Sequence, residues 1–264
     1  MVLDDAGRRE WAFGELLEAA GAVAGRLADS GIGRGDVVAC MVGNGIDYVL
    51  LLVACQHLGA VLLPCSEQLR GKDIALRIAR ARPSLVVSAP RNLSELDASG
   101  WDGPVLVTPL PLSGQAPPYA EVAETDRAFV LFTSGTSGEP KMVTHAQRYV
   151  AGQRLQATTW MAASPGDLVW STAAPGWSKS TRNGFLAPWL CGAAALVQDR
   201  RFDPAERLET IRRERVNVLC MAPTEYRLIA AAGPIGELPS VSRLITAGKR
   251  SVSRRCRRGA QRPG

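Results

Sequence analysis

Apolar residues along the chain alternate between helical and strand periods. The spacing of Leu16, Ala20, Val23 and Leu27 predicts a helix over 14–30. The same reasoning predicts further helices at 46–58, 72–81, 146–161, 181–190 and 224–232, a helix capped by Asp203 with Pro204 as its first residue, and strands at 36–42, 60–64, 85–88, 168–172, 193–198, 216–221 and 243–246. This order predicts an α/β fold with repeatedly wound sheets and flanking helices.

One long segment breaks the alternation. Residues 109–126 are rich in Pro, Gly, Ser and Ala and show no periodicity, which predicts a loop and a possible subdomain boundary. The apolar run at 128–132 that follows is typical of a buried strand.

Glycines, hydroxyls and a lysine follow that strand directly. Residues 131–141 read Leu-Phe-Thr-Ser-Gly-Thr-Ser-Gly-Glu-Pro-Lys. Glycines let several backbone N–H groups turn toward one anion, hydroxyls add donors, and the lysine adds a mobile charge. The candidate phosphate-binding residues are Thr133, Ser134, Gly135, Thr136, Ser137, Gly138 and Lys141. The alternative is a polar Gly/Ser loop without a function.

The pattern differs from a Walker A loop, because Pro140 replaces the second glycine and Met142 follows the lysine. Thr-Ser-Gly-Thr-Ser-Gly-x-Pro-Lys instead resembles the phosphate loop of AMP-forming acyl-CoA synthetases and related adenylate-forming enzymes. The resemblance implies that this loop holds the β- and γ-phosphates of ATP, with Lys141 as a catalytic residue.

The resemblance extends from Trp11 to about Gly248. Ala174-Pro-Gly-Trp-Ser-Lys and Met221-Ala-Pro-Thr-Glu-Tyr-Arg are similar to the medium-chain branch. The family's Tyr-Gly-x-Thr-Glu motif, ribose-binding aspartate and adenylation lysine have no counterpart in this sequence. The chain therefore resembles the N-terminal part of an adenylate-forming enzyme large domain, over 1–248.

The resemblance also implies residues for the carboxylate substrate. Trp177 corresponds to the start of the acyl pocket, although its sequence context is equally consistent with a core tryptophan. Pro223 and Thr224 resemble a turn at a strand end beside the pocket, where ligands of such sheets bind. Trp189, within an apolar helix, is predicted to be a core residue.

The net charge of +6 is concentrated in one segment. Residues 249–264 carry +7 and no acidic residue, while the first 248 residues hold 24 basic and 25 acidic side chains, a net charge of −1. We expect a basic, disordered tail without a site. One hypothesis is that the tail is read in a shifted frame, and the alternative is that it is native to this protein. The tail lacks interleaved aromatics, so nucleic-acid binding is disfavoured.

Other features indicate a soluble, cytoplasmic protein. The longest apolar run, Tyr48 to Cys55, is far shorter than the ~20 residues of a membrane helix, and the six cysteines show no C-x-x-C spacing. His145 is predicted to pack or cap rather than act as a base. Glu139 and Glu225 are predicted to be solvated, and no metal site is expected.

The resemblance implies ATP-dependent activation of a carboxylic acid to an acyl-adenylate and then to an acyl-CoA thioester. ATP, Mg²⁺ on its phosphates and CoA would be the cofactor and co-substrates. The alternative is a catalytically silent chain that binds nucleotide weakly or associates with a partner. Pyrophosphate release separates these hypotheses.

Overall fold

The computed structural model describes residues 1–4, 7–133 and 139–246. The strands are β1 (Val2–Asp4), β2 (Gly7–Arg9), β3 (Val37–Met41), β4 (Val61–Pro64), β5 (Leu85–Ser88), β6 (Val105–Val107), β7 (Arg127–Thr133), β8 (Lys141–Ala146), β9 (Leu168–Ser171), β10 (Ala194–Gln198), β11 (Val218–Met221) and β12 (Arg243–Thr246). The α-helices are α1 (Phe13–Asp29), α2 (Ile46–Leu58), α3 (Gly71–Ala81), α4 (Leu93–Asp97), α5 (Arg148–Gln156), α6 (Ser178–Thr181), α7 (Ala187–Leu190), α8 (Pro204–Arg213) and α9 (Pro223–Ala232). Within these ranges, no helix combines the length and the apolar character needed to cross a bilayer.

The first sheet has the strand order β6-β5-β3-β4-β7-β8. Its strands are parallel except for β8, which pairs antiparallel with β7. All of β3 is buried: Val38 and Cys40 pack in the same core cluster as α1 and α2, while Val37 and Met41 pack with Ile74 of α3. Alternate residues of a strand point to opposite faces, so helices cover both sides of this sheet. The predicted α/β winding is confirmed.

The second sheet has the strand order β12-β11-β9-β10-β1-β2. Strands β9 to β12 are parallel, as the winding predicts, but the sheet also includes residues from the start of the chain. Val2 pairs with Val197, and β2 returns antiparallel to β1. Neither of these two strands was predicted, because each has only three residues, too few for a recognisable period.

Two predicted helices differ from the observed elements. The region 146–161 begins with the end of strand β8 and continues as α5 and a π-helical segment, Ala157–Met161. The region 181–190 is the end of a longer helical stretch, in which the π-helical segment Arg182–Leu186 joins α6 to α7. Strand β8 was missed because its conformation depends on pairing with β7, which local propensity does not report.

Residues 109–126 contain neither helix nor strand, so the predicted loop is confirmed. This segment, called the strap below, is fastened to α2. Its Leu110 N–H donates to Asp47 Oδ1 at 2.8 Å, His57 Nε2 lies 2.7 Å from the Pro117 carbonyl oxygen, and the Tyr119 ring stacks on His57 with centroids 4.0 Å apart. The subdomain boundary suggested for this region stays a prediction.

The carboxyl ends of strands from the two sheets meet. Asn44, just beyond β3, donates from Nδ2 to the Ala173 carbonyl at 3.1 Å and from its backbone N–H to Asp199 Oδ1 at 3.2 Å. Gly176 lies so close to β4 that an added Cβ would be 2.8 Å from the Ser66 nitrogen. The segment that leads from β9 to α6 is therefore seated against the first sheet.

Candidate functional site

The ribbon formed by β7 and β8 places Thr133 and Lys141 opposite each other, and both residues are exposed. Within the described part of the chain, the Lys141 side chain has no hydrogen bond or ion pair. Its ammonium group is thus exposed at the end of the ribbon, close in sequence to residues 134–138, which belong to the predicted phosphate loop and are called the phosphate-loop segment below. The remaining predicted loop residues, which are Ser134, Gly135, Thr136, Ser137 and Gly138, lie outside the described residues, as does the basic tail at 249–264.

Helix α3 supports the end of the ribbon through Arg80. This guanidinium lies 2.6 Å from Glu139 Oε2 and donates to the Pro140 carbonyl at 3.0 Å. The Glu139 side chain is 71% exposed, so it is both solvated, as predicted, and paired. The pair tethers the residues between the phosphate-loop segment and Lys141 to the body of the first sheet.

His145 on β8 packs against the ring of Tyr149 with centroids 4.3 Å apart, which confirms the prediction of a packing residue. Burial, and after it the nearby Arg182 guanidinium, lowers the pKa of His145 below its ordinary value. Arg182 also donates from Nε to Asn183 Oδ1 at 3.3 Å. The π-helical segment therefore brings a cation close to the ribbon.

Trp177 is the residue before α6, and its side chain is 67% exposed. The sequence allowed two interpretations of Trp177, a core tryptophan or a residue on the wall of the acyl pocket. This exposure shows that the first is wrong and is consistent with the second. Gly176 before it has φ of 90°, a conformation that favours glycine, so the backbone can turn beside β4 and present Trp177 outward.

Pro223 and Thr224 are the first two residues of α9, directly beyond β11. Strands β9 and β11 are parallel neighbours, with Ser171 opposite Cys220. Because both strands run the same way, Trp177 and the Pro223–Thr224 turn follow the same edge of the second sheet. The structure thus brings the predicted carboxylate-binding residues to one edge.

Glu225 does not behave as predicted. Its carboxylate accepts the Thr172 hydroxyl at 2.5 Å and the Ala222 backbone N–H at 3.1 Å, and it lies 3.5 Å from Arg207. The side chain is only 17% exposed, so the prediction that Glu225 is solvated is wrong. The hydrogen bond from Thr172 joins elements separated by 53 residues along the chain, which no local sequence pattern reports.

Polar residues that the sequence analysis did not single out lie beneath this edge. Asn183 is fully buried; its Nδ2 lies 3.3 Å from Cys220 Sγ, and its Oδ1 lies 3.4 Å from Gln156 Nε2. Burial raises the pKa of the Cys220 thiol. Tyr48 of α2 bonds Thr181 of α6 through their hydroxyls at 2.6 Å. These residues carry no motif, so no sequence signal could have identified them.

A cleft of about 560 Å³ lies at the amino ends of β9 and β10, away from the predicted site. Its walls include Phe13, Leu16 and Trp189. Trp189 was predicted to be a core residue; it is only half-buried and contacts Phe13 and Phe185 with ring centroids 5.9 and 5.6 Å apart. This cleft contains none of the residues predicted to bind substrate.

The fold closely matches solved structures. An acyl-CoA synthetase of Brucella canis superposes with a TM-score of 0.84 at 24% identity, over 94% of this chain and 49% of that chain. The anthranilate CoA ligase AuaEII, solved in complex with anthranoyl-AMP, gives 0.82 at 19% identity, over 94% of this chain and 51% of that one. These likenesses show the fold.

Sequence comparison extends this result. An uncharacterized acyl-CoA ligase of Bacillus subtilis is 34% identical over 245 residues, 86% of this chain and 46% of the relative. A mitochondrial acyl-coenzyme A synthetase of Homo sapiens is 29% identical over 241 residues, 83% and 41% respectively. The chain thus spans less than half the length of these relatives. The family model of AMP-binding enzymes matches residues 1–262, and the chain therefore belongs to that family.

Proposed function

We propose that this chain carries the ATP-phosphate and carboxylate subsites of an AMP-forming acyl-CoA ligase. In this reaction a carboxylate oxygen attacks the α-phosphorus of ATP and pyrophosphate leaves. The CoA thiol then attacks the acyl carbonyl carbon, its proton passes to solvent, and AMP leaves with the former carboxylate oxygen. No protein nucleophile takes part, so the residues need only hold two anions together and stabilise the charge that develops.

The proposed ATP-phosphate residues are Thr133, Ser134, Gly135, Thr136, Ser137, Gly138 and Lys141, and the proposed carboxylate residues are Trp177, Pro223 and Thr224. The Lys141 ammonium offers only hydrogen-bond donors, which suit phosphate oxygens and cannot ligate Mg²⁺, and the Thr133 hydroxyl is a single neutral oxygen. The ion would therefore be held mainly by the phosphates of the nucleotide.

One observation carries the proposal. The ribbon with Thr133 and Lys141 belongs to the first sheet, Trp177 follows a strand of the second, and the segment before Trp177 is seated against β4 of the first sheet at Ser66. The two candidate subsites thus lie at carboxyl ends of strands that are joined to each other. Ligands of doubly wound sheets bind at such ends.

The test is direct binding of each substrate. Isothermal titration calorimetry with MgATP and, separately, with octanoate should detect both, and Trp177→Ala should weaken octanoate binding alone. If the wild-type chain failed to bind MgATP, or failed to bind octanoate, the proposal would be overturned. Glu209→Ala, which removes an exposed carboxylate from α8, is the matched surface control and should bind both ligands normally.

Turnover separates a working ligase from a silent binding protein. Pyrophosphate release from ATP with octanoate, followed by acyl-CoA formation when CoA is added, would show that this chain completes both steps. Binding of both substrates without pyrophosphate release would assign it the subsites alone.

A further inference from the structure

A buried arginine lies under the edge of the second sheet, outside the proposed substrate residues. Arg207 of α8 is 7% exposed and is enclosed by the rings of Trp170 and Phe202, 4.5 and 5.5 Å from its guanidinium carbon. Its Nε has no hydrogen-bond partner among the described residues, and Gln198 Oε1 lies 3.5 Å from its Nη1. Burial lowers the pKa of Arg207, as expected for a cation removed from water.

The carboxylate opposite Arg207 belongs to Glu225, whose Oε1 lies 3.5 Å from Nη2. The other oxygen, Oε2, accepts from both Thr172 and the Ala222 N–H. Thr172 is the residue after β9, and Ala222 is the residue before α9. One carboxylate oxygen of Glu225 therefore accepts hydrogen bonds from the first residues of two segments. One segment leads to Trp177 and the other to the Pro223–Thr224 turn, which are the candidate carboxylate-binding residues.

We propose that Glu225 is a positioning residue of the carboxylate subsite, which holds the segment leading to Trp177 and the Pro223–Thr224 turn in one fixed arrangement, while Arg207 is the cation that faces its carboxylate. The inference rests on the proposed function, because that function assigns Trp177 and the turn to the substrate. Charge-assisted hydrogen bonds are short and directional, so a shared acceptor oxygen restricts both segments more than packing alone would.

Two variants separate positioning from simple stabilisation. Glu225→Gln keeps an acceptor oxygen for Thr172 and Ala222 but removes the carboxylate that is paired with the buried Arg207, so it should unfold at lower urea concentration. Glu225→Met keeps a similar length but removes the acceptor. Thr172→Val tests the same link from its other side and leaves the pair with Arg207 intact.

Two measurements test the inference: the ¹⁹F resonance that reports the position of Trp177, and the affinity for octanoate. In protein labelled with 5-fluorotryptophan, the ¹⁹F resonance of Trp177 is assigned by its loss in Trp177→Phe. We expect this resonance to move in Glu225→Met and Thr172→Val but to stay in place in Glu225→Gln. Octanoate affinity should fall about tenfold or more in the first two variants, in which the link between Thr172 and Ala222 through one acceptor oxygen is broken, and should stay close to that of wild type in Glu225→Gln, which keeps an acceptor oxygen.

A purely structural role would make octanoate affinity follow the urea midpoint, with Glu225→Gln among the weakest binders. That result, or an unmoved Trp177 resonance in both Glu225→Met and Thr172→Val, would overturn the inference. The Trp177 resonance is read without ligand, so it tests the inference independently of octanoate binding. If the wild-type chain failed to bind octanoate but the resonance still moved in Glu225→Met and Thr172→Val, only the proposed function would be contradicted. Glu209→Ala should change neither measurement.

Discussion

At the scale of single residues, Lys141 is the cation proposed to bind the phosphates of ATP. It is exposed at the end of the ribbon, opposite Thr133, without a partner in the described ranges. Glu139 nearby is already paired with Arg80, so it competes little for the lysine. The ammonium group can therefore adopt the position that a bound phosphate requires.

Lys141→Ala should weaken ATP binding roughly ten- to a hundredfold, because a charge-assisted hydrogen bond contributes about 1.5–3 kcal/mol. Calorimetry of MgATP binding measures this directly. Lys72→Ala is the matched control, since Lys72 is an exposed lysine at the start of α3. Equal affinities for the Lys141 variant and wild type would remove Lys141 from the site.

His145 should make stability dependent on pH. Its folded-state pKa lies below the ordinary value of 6.5, so the unfolded chain binds a proton more readily than the folded one. Stability should fall as pH is lowered through 6.5 toward the folded-state pKa. His145→Phe keeps a ring against Tyr149 and should flatten the dependence of urea midpoints between about pH 7.5 and 5.5. Parallel curves for the two proteins would contradict this expectation.

At the scale of elements, helix α1 depends on two small residues to seat the strap. A Cβ added at Gly21 would lie 2.8 Å from Ala116 Cβ, and one added at Gly25 would lie 2.2 Å from the Gln115 carbonyl oxygen. Backbone atoms cannot move aside as a flexible side chain can. The absence of side chains at these positions therefore allows the strap to approach the helix.

Gly25→Ala should destabilise the protein by about 1–3 kcal/mol through this overlap, despite the better helix propensity of alanine. Gly14→Ala in the same helix is the matched control, because nothing lies within 4 Å of its added Cβ. Urea unfolding followed by circular dichroism compares the two. If Gly25→Ala were as stable as Gly14→Ala, the close approach of the strap would be wrong.

At the scale of the whole molecule, Arg91 links the two sheets. Its guanidinium binds Glu67 through both carboxylate oxygens, at 2.7 and 2.9 Å, and also contacts Asp199 at the end of β10. Asn92 donates to the same Glu67 at 2.7 Å. The network spans the junction beside which the candidate subsites lie.

Arg91→Ala should lower the free energy of unfolding by about 1 kcal/mol, the upper range for exposed ion pairs, because it leaves two carboxylates facing each other. The loss should grow at low ionic strength, where like charges are least screened. Arg70→Ala, which breaks a single exposed pair with Glu95, should cause a smaller loss. Equal urea midpoints for the two variants at low salt would count against the link.

The residues of the candidate site could be predicted from sequence only where they are neighbours along the chain. The phosphate-loop segment and Pro223–Thr224 are short local patterns, and the structure places Thr133 opposite Lys141 and the turn at a strand end. The exposure of Trp177 and the hydrogen bond between Thr172 and Glu225 depend on contacts between distant segments. Such contacts cannot be predicted from local sequence patterns.

For the fold, the sequence by itself determined the alternation of helices and buried strands and the loop at 109–126, because periodicity and turn composition are properties of adjacent residues. Only the tertiary structure decided that β1 and β2 join a sheet built otherwise from residues beyond 167, that β8 is a strand, and that the two sheets meet at Asn44 and Gly176. Each of these depends on which surfaces pack together, and that is settled by burial and hydrogen bonding across the whole chain.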